Sequence, residues 1–245
     1  ILREQKPAFA GAALDRPEKT FREEAFKEYK IHRPPPPDSL ISQLKCLPEI
    51  FEVFGIKSFS EPGFEADDIL GTLVTKFPHE PDLKIIILSG DLDTLQLVED
   101  DKILAQITKT GLTDTILYNE NKVIERYGLK PKQLPDYKGL VGDTSDNIPG
   151  INGIGPKSAS ELLKEFITLE GVFDNLPIIT PSIAKKLEGK KEEAFLYRNL
   201  ATIKKDVALK ISSLEELALP DFNKERLKNY FEKLGFLSLL KRLDP

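Results

Sequence analysis

Residues 142–157 read Gly-Asp-Thr-Ser-Asp-Asn-Ile-Pro-Gly-Ile-Asn-Gly-Ile-Gly-Pro-Lys, and the rest of the chain is best read outward from this stretch. Its first half carries two carboxylates three residues apart, Asp143 and Asp146. In a helix, positions i and i+3 share a face, so the pair could hold one divalent cation. The second half is a hairpin punctuated by Gly150, Gly153 and Gly155 that runs into a helix starting near Pro156. Where such a hairpin meets a helix N-terminus, exposed backbone N–H groups can receive a phosphate. A candidate metal site and a candidate phosphate site therefore adjoin.

Other acids fall where a metal site could collect them. Residues 8–14 are small and apolar and fit a short strand ending at Asp15. Lys84-Ile-Ile-Ile-Leu-Ser89 reads as a strand buried on both faces, as in a parallel sheet, and it ends in Asp91 and Asp93. Open α/β sheets place ligands at the carboxyl edge of their strands. Glu65-Ala-Asp-Asp68 opens a helix, with Glu65 and Asp68 about 60° apart on one face. Some of these acids also have a bland explanation: Asp15 as a turn or cap residue, and the 65–68 group as a complement to the helix dipole. Eight carboxylates in one crevice, namely Asp15, Glu65, Asp67, Asp68, Asp91, Asp93, Asp143 and Asp146, would repel one another unless cations neutralised them. With two histidines, His32 and His79, and one cysteine, Cys46, an ordinary zinc site is excluded. An oxygen-only cluster selects Mg²⁺ or Mn²⁺, and two such ions suit phosphodiester cleavage.

The remaining segments set the architecture. In residues 16–33 basic and acidic residues alternate with Phe21, Phe26 and Tyr29, which reads as a solvated helix laced with ion pairs or as a surface for single-stranded nucleic acid. Pro34 to Pro37 break it, and apolar residues from Leu40 to Phe54 follow helical spacing, with Pro48 kinking that helix or starting a second. Residues 103–107 and 115–118 read as strands forming a hairpin around Gly111, and Asn119 caps a helix ending near Tyr127. Helical segments then follow at 131–141, 156–166, 181–187, 190–203, 213–217 and 223–234. The predicted fold is an α/β core with a mostly parallel central sheet flanked by helices over 1–130, and a helical region over 131–245.

Composition narrows the class. The 245 residues suffice for one large or two smaller domains, and no apolar run approaches a membrane span. One cysteine fits a reducing cytoplasm and rules out an internal disulfide framework. The net charge of −5 is a weak argument against a nucleic-acid partner, because with the eight acids set aside, the 35 basic residues outnumber the acids that remain. A chain that opens on Ile1 and holds no Met reads as processed or as part of a longer one.

Taken jointly, Phe-Arg-Glu-Glu at 21–24, Tyr29-Lys30, Glu-Ala-Asp-Asp at 65–68, Asp91-x-Asp93 and Gly-Asp-x-Ser-Asp-Asn-Ile-Pro-Gly at 142–150 resemble a known family. The chain is similar along nearly its whole length to the 5′-nuclease domain of bacterial DNA polymerase I, within the flap endonuclease superfamily. That resemblance implies a PIN-like core, a helical arch at 16–37 around a 5′ flap, and a helix-hairpin-helix module gripping duplex DNA. It implies two or more Mg²⁺ or Mn²⁺ ions on the eight acids, and K⁺ at the hairpin. It assigns Arg22 and Lys30 to the scissile phosphate, Tyr29 to base stacking, and Arg33, Gly150, Gly153, Gly155 and Lys157 to DNA contacts. The implied partners are DNA with a 5′ flap or 5′ end, an RNA–DNA primer, no membrane, and a covalently following polymerase domain in a bacterial, nucleoid-associated setting. The sequence departs from the family in lacking its Leu-Ile-Asp-Gly-like first strand and in carrying Glu23 where histidine is common. Two alternatives stand beside a structure-specific 5′ nuclease: a non-catalytic helix-hairpin-helix DNA-binding fragment, and an RNA-cleaving relative.

Overall fold

A computed structural model describes residues 2–77, 80, 82–110, 114–221 and 223–243; the expected turn at Gly111, and His79, lie outside the described residues. The first half alternates helix and strand: α1 (Leu2–Gln5), β1 (Gly11–Ala13), α2 (Phe21–Ala25), α3 (Asp38–Leu44), α4 (Leu47–Val53) and β2 (Lys57–Phe59). It continues through α5 (Ala66–Lys76), β3 (Ile85–Ser89), β4 (Ile103–Thr110), β5 (Asp114–Tyr118) and α6 (Glu120–Tyr127). The second half is helical: α7 (Leu134–Val141), α8 (Pro156–Phe166), α9 (Leu169–Asp174) and α10 (Pro181–Leu187). It ends in α11 (Lys191–Ala201), α12 (Lys224–Lys233) and α13 (Leu237–Leu243).

Strand pairing is mostly parallel, as expected, but it is divided between two small sheets. β1 pairs with β2 in parallel, Gly11 opposite Lys57, and β3 pairs with β4 in parallel, Ile85 opposite Ile103. β5 returns antiparallel to β4. Helix α5 joins the two sheets through opposite faces. Ile69 and Leu73 pack with Phe59 on the β1–β2 side, and Val74 packs with Ile87 and Ile103 on the β3–β4 side. The β3 strand differs from its expected burial. Leu88, Gln106 and Leu117 align across the second sheet, and both leucines are exposed, so this face is partly open. The β2 strand and helix α9 carried too few periodic residues to be read in advance.

Residues 16–33 depart furthest from expectation. In place of a long ion-paired helix there is only α2, followed by turns. Lys30 adopts φ +53°, which a helix cannot accommodate, and its N–H donates to the Asp146 carbonyl at 2.9 Å. Contact with the 142–148 loop thus overrides the local helical preference. Pro48 does start a second helix, as one of the two readings had it.

In the helical half, α7 packs against α8 and α11 around Leu140, Leu163, Leu169, Leu187 and Leu200. Gly142 and Gly150 allow the loop after α7 to cross itself. Both have positive φ, and a Cβ on Gly142 would stand 2.3 Å from the Ile148 carbonyl oxygen, so no larger residue fits. Among the described residues no helix is long and apolar enough to cross a membrane.

Candidate metal centre and nucleic-acid interface

The N-terminus of α5 separates two neighbouring aspartates. Asp68 is 0 % exposed, and its oxygens receive Arg22 Nη1 at 2.7 Å and Nη2 at 2.8 Å, the Glu65 N–H at 3.0 Å and the Lys204 N–H at 2.8 Å. Arg22, 3 % exposed, spends its other donors on the Leu200 and Thr202 carbonyls at 2.7 and 2.9 Å. The two assignments from sequence change accordingly. Asp68 is fully buried against Arg22, itself buried, and together they tie α2 and α5 to the 200–204 segment, with Arg22 Nη1 also 3.7 Å from Glu65. Burial works against the Arg22 charge, yet the Asp68 carboxylate holds the guanidinium protonated above its ordinary range.

Asp67 takes the opposite direction. It makes no ion pair among the described residues, and burial, with Asp91, Asp93 and Glu65 near, pushes its carboxyl up to about 7 against the pull of Lys30. Asp91 follows β3 by two residues and caps the 3₁₀ turn at Leu92–Leu97, accepting the Asp93 N–H at 2.9 Å. That turn directs Asp93 inward, where burial, Asp91 and Asp143 raise its carboxyl to about 6 although Lys138 opposes them.

Asp143 and Asp146 arrive from the loop after α7. They lie in a tight turn closed by Asp143 N–H to the Ile148 carbonyl at 2.7 Å and the reciprocal bond at 2.8 Å, not in a helix. The turn nonetheless converges them with Asp93: each of the three offers a carboxylate oxygen, and these oxygens lie within 4.8 Å of one another. Asp146 is held from its own side by Tyr29, which donates its hydroxyl at 2.9 Å, and by Arg33 at 2.7 Å. Lys30 donates to Glu65 at 2.8 Å. Tyr29 itself is 5 % exposed, with a hydroxyl kept protonated by burial and by Glu65 and Asp146. Its ring is therefore core, so the assignment to base stacking is corrected.

Lys138 was not singled out from sequence. It sits five residues before Asp143, and its ammonium bridges Asp93 Oδ1 and Asp143 Oδ2. Burial works against ionisation of Asp143, but Lys138 and Ser145 hold its carboxyl below the ordinary range. The readable sign was a lone cation one turn ahead of a paired-acid motif.

The other expected residues lie at the rim. Asp15 is exposed and accepts the Ala66 N–H at 2.8 Å, so it caps α5 beside Glu65. Gly153 and Gly155 are exposed ahead of α8 and Lys157 is nearly free in solvent, whereas Gly150 is buried in the loop crossing. The Gly153 carbonyl accepts Lys186 Nζ at 2.9 Å.

The donor set is all oxygen, with no histidine or thiol, and carboxylates at this spacing fit a hard divalent cation. The profile described as "5'-3' exonuclease, N-terminal resolvase-like domain" matches residues 1–128, and "5'-3' exonuclease, C-terminal SAM fold" matches 129–225. The chain belongs to the 5′-3′ exonuclease family. DNA polymerase I of Caldicellulosiruptor bescii is 43% identical over 99% of this chain, and that of Bacillus subtilis 38% over 99%. The chain spans only 28% and 27% of those two proteins. The 5′-exonuclease of bacteriophage T5, solved with divalent zinc ions, shares the fold. It aligns with a TM-score of 0.69 at 24% identity, over 82% of this chain and 76% of its own. In this exonuclease chain the acids straddle the two profiles: Asp67, Asp91 and Asp93 come from the first and Asp143 and Asp146 from the second. Neither part alone assembles the cluster.

Proposed function

We propose that this chain is a structure-specific 5′ nuclease that hydrolyses DNA phosphodiesters at 5′ flaps and 5′ ends, including RNA-primed strands, in replication and repair. The observation that carries the reading is the convergence of Asp93, Asp143 and Asp146 within 4.8 Å, beside an Asp67 pushed up to about 7. Asp67, Asp91, Asp93, Asp143 and Asp146 would hold Mg²⁺ or Mn²⁺, with Glu65 and Asp15 at the margin. Ions bound there would supply an activated water and stabilise charge on the attacking and leaving oxygens.

The chain's own residues supply the rest. Lys30, held by Glu65 at the crevice edge, offers a preorganised cation to a phosphate. Arg33 and Lys157, both exposed, would neutralise backbone phosphates, and the exposed Gly153–Gly155 backbone ahead of α8 suits duplex phosphate, with K⁺ as a further ligand of the hairpin. The α7–hairpin–α8 unit would act as the helix-hairpin-helix that grips duplex, while residues 16–37 border the path of a single strand.

The test is Asp143→Asn on a labelled 5′-flap duplex. Cleavage in Mg²⁺ or Mn²⁺ should fall by more than about 100-fold, beyond the loss of an outer-sphere partner, while binding in EDTA persists. Unchanged cleavage would refute the metal assignment. Binding with no cleavage by the wild-type chain would favour a DNA-binding module.

A further inference from the structure

We infer that Lys138 is the internal counter-cation of this acidic cluster, a positioning residue whose ammonium and a divalent ion compete for the same oxygens of Asp93 and Asp143. The inference rests on the metal reading above. The geometry assigns the role by elimination within the cluster. Asp146 has its own donors in Tyr29 and Arg33, Glu65 has Lys30, and Asp68 has Arg22. Asp93 and Asp143, from opposite halves of the chain, share Lys138 as their common cation.

Two features make the bridge exchangeable, unlike that of Arg22. Lys138 offers a compact point charge on a flexible stem, with no planar fork locking both partners. Of the four oxygens on Asp93 and Asp143, Lys138 takes Asp93 Oδ1 and Asp143 Oδ2, whereas Asp143 Oδ1 is already covered by the Ser145 N–H and hydroxyl at 2.8 and 2.6 Å. On Asp143, the oxygen left for an entering cation is therefore the one that Lys138 holds. Lys138 would thus hold the two carboxylates together before ions bind and yield them when ions arrive.

Mn²⁺ titration followed by electron paramagnetic resonance, with thermal unfolding in EDTA and in saturating Mn²⁺, tests this on wild type, Lys138→Met, Lys138→Arg and Asp143→Asn. Lys138→Met should bind Mn²⁺ about tenfold tighter. It should melt about 5 °C lower in EDTA yet recover the wild-type midpoint in Mn²⁺. Lys138→Arg, which keeps a cation on both carboxylates, should stay near wild type in EDTA. A Lys138→Met affinity that is unchanged or weaker, or a deficit of equal size with and without Mn²⁺, would overturn the inference, because a lysine that merely packs loses stability in both. If Lys138→Met does not fold, Lys138→Gln carries the same comparison. The control separates the two levels: no Mn²⁺ binding by wild type that Asp143→Asn abolishes means the metal reading itself has failed.

Discussion

Asp67 and Asp68 are adjacent in sequence and opposite in circumstance. Asp68 sits in a closed nest, every oxygen matched by a donor and its charge balanced by an arginine that is itself buried. Asp67, with Asp93 and Asp143 across the crevice, sits in an open one: half-buried acids, one shared lysine, and carboxyls of Asp67 and Asp93 driven upward by burial and by their neighbours. Burial without compensation costs free energy, and a fold retains it where a ligand from outside completes the balance. The closed nest holds the scaffold together. The open one is where chemistry fits.

The comparison can be broken from either side. The largest effect expected is at the open nest, the loss of flap cleavage in Asp143→Asn. Next comes the closed nest. Arg22→Met strands a buried carboxylate and should cost about 3–5 kcal/mol in urea unfolding, the same with Mg²⁺ or EDTA, while adding Asp68→Leu should restore most of it. A loss below about 1 kcal/mol, or one that Mg²⁺ repairs, would show that Arg22 is not a closed structural pair.

A smaller effect distinguishes the nests by pH. In EDTA the folded carboxyls of Asp67 and Asp93 keep their protons up to about 7 and about 6, whereas an unfolded chain releases them near 3.8. At these two groups the folded state binds more protons between those limits, so the stability they contribute should be greatest below the ordinary carboxylate value. It should fall as pH rises to about 7 and level off above. Each tenfold difference in proton affinity between the folded and unfolded chain is worth about 1.4 kcal/mol, so the loss per group is on the order of a few kcal/mol. Asp67→Asn should flatten the upper part of that fall in denaturation at pH 5 and pH 7.5; an unchanged slope would place Asp67 outside the open nest. The smallest effect is at the boundary between the nests. Tyr29→Phe keeps the buried ring but removes the hydroxyl from Asp146 and Glu65, and should cost about 1–2 kcal/mol with no change in KM for a flap substrate.

Much of this was legible in the chain. The β-branched run before Asp91, the Asn119 cap and the Pro156 start of α8 are local features, and local chemistry is enough to place them. The same holds for the acids as a set, since their number and the shortage of histidine and cysteine already pointed to oxygen ligation. Asp143 and Asp146 do lie close together, but a turn and not a helix brings them there. Residues 16–33 misled because their alternating charges satisfy a helix rule that a distant loop overrides at Lys30.

The sequence by itself determined the inventory: which carboxylates could gather, that histidine and cysteine are too few to join them, and that a glycine hairpin stands next to two of them. Only the tertiary structure decided how that inventory is divided. Whether Asp68 faces an arginine or a crevice, whether Tyr29 is surface or core, and that Lys138 spans the two halves all depend on contacts between residues 36 to 117 positions apart or more closely spaced ones folded into one turn. Charge is a property of the residue, but its compensation is a property of the neighbours that long-range packing brings within about 3 Å.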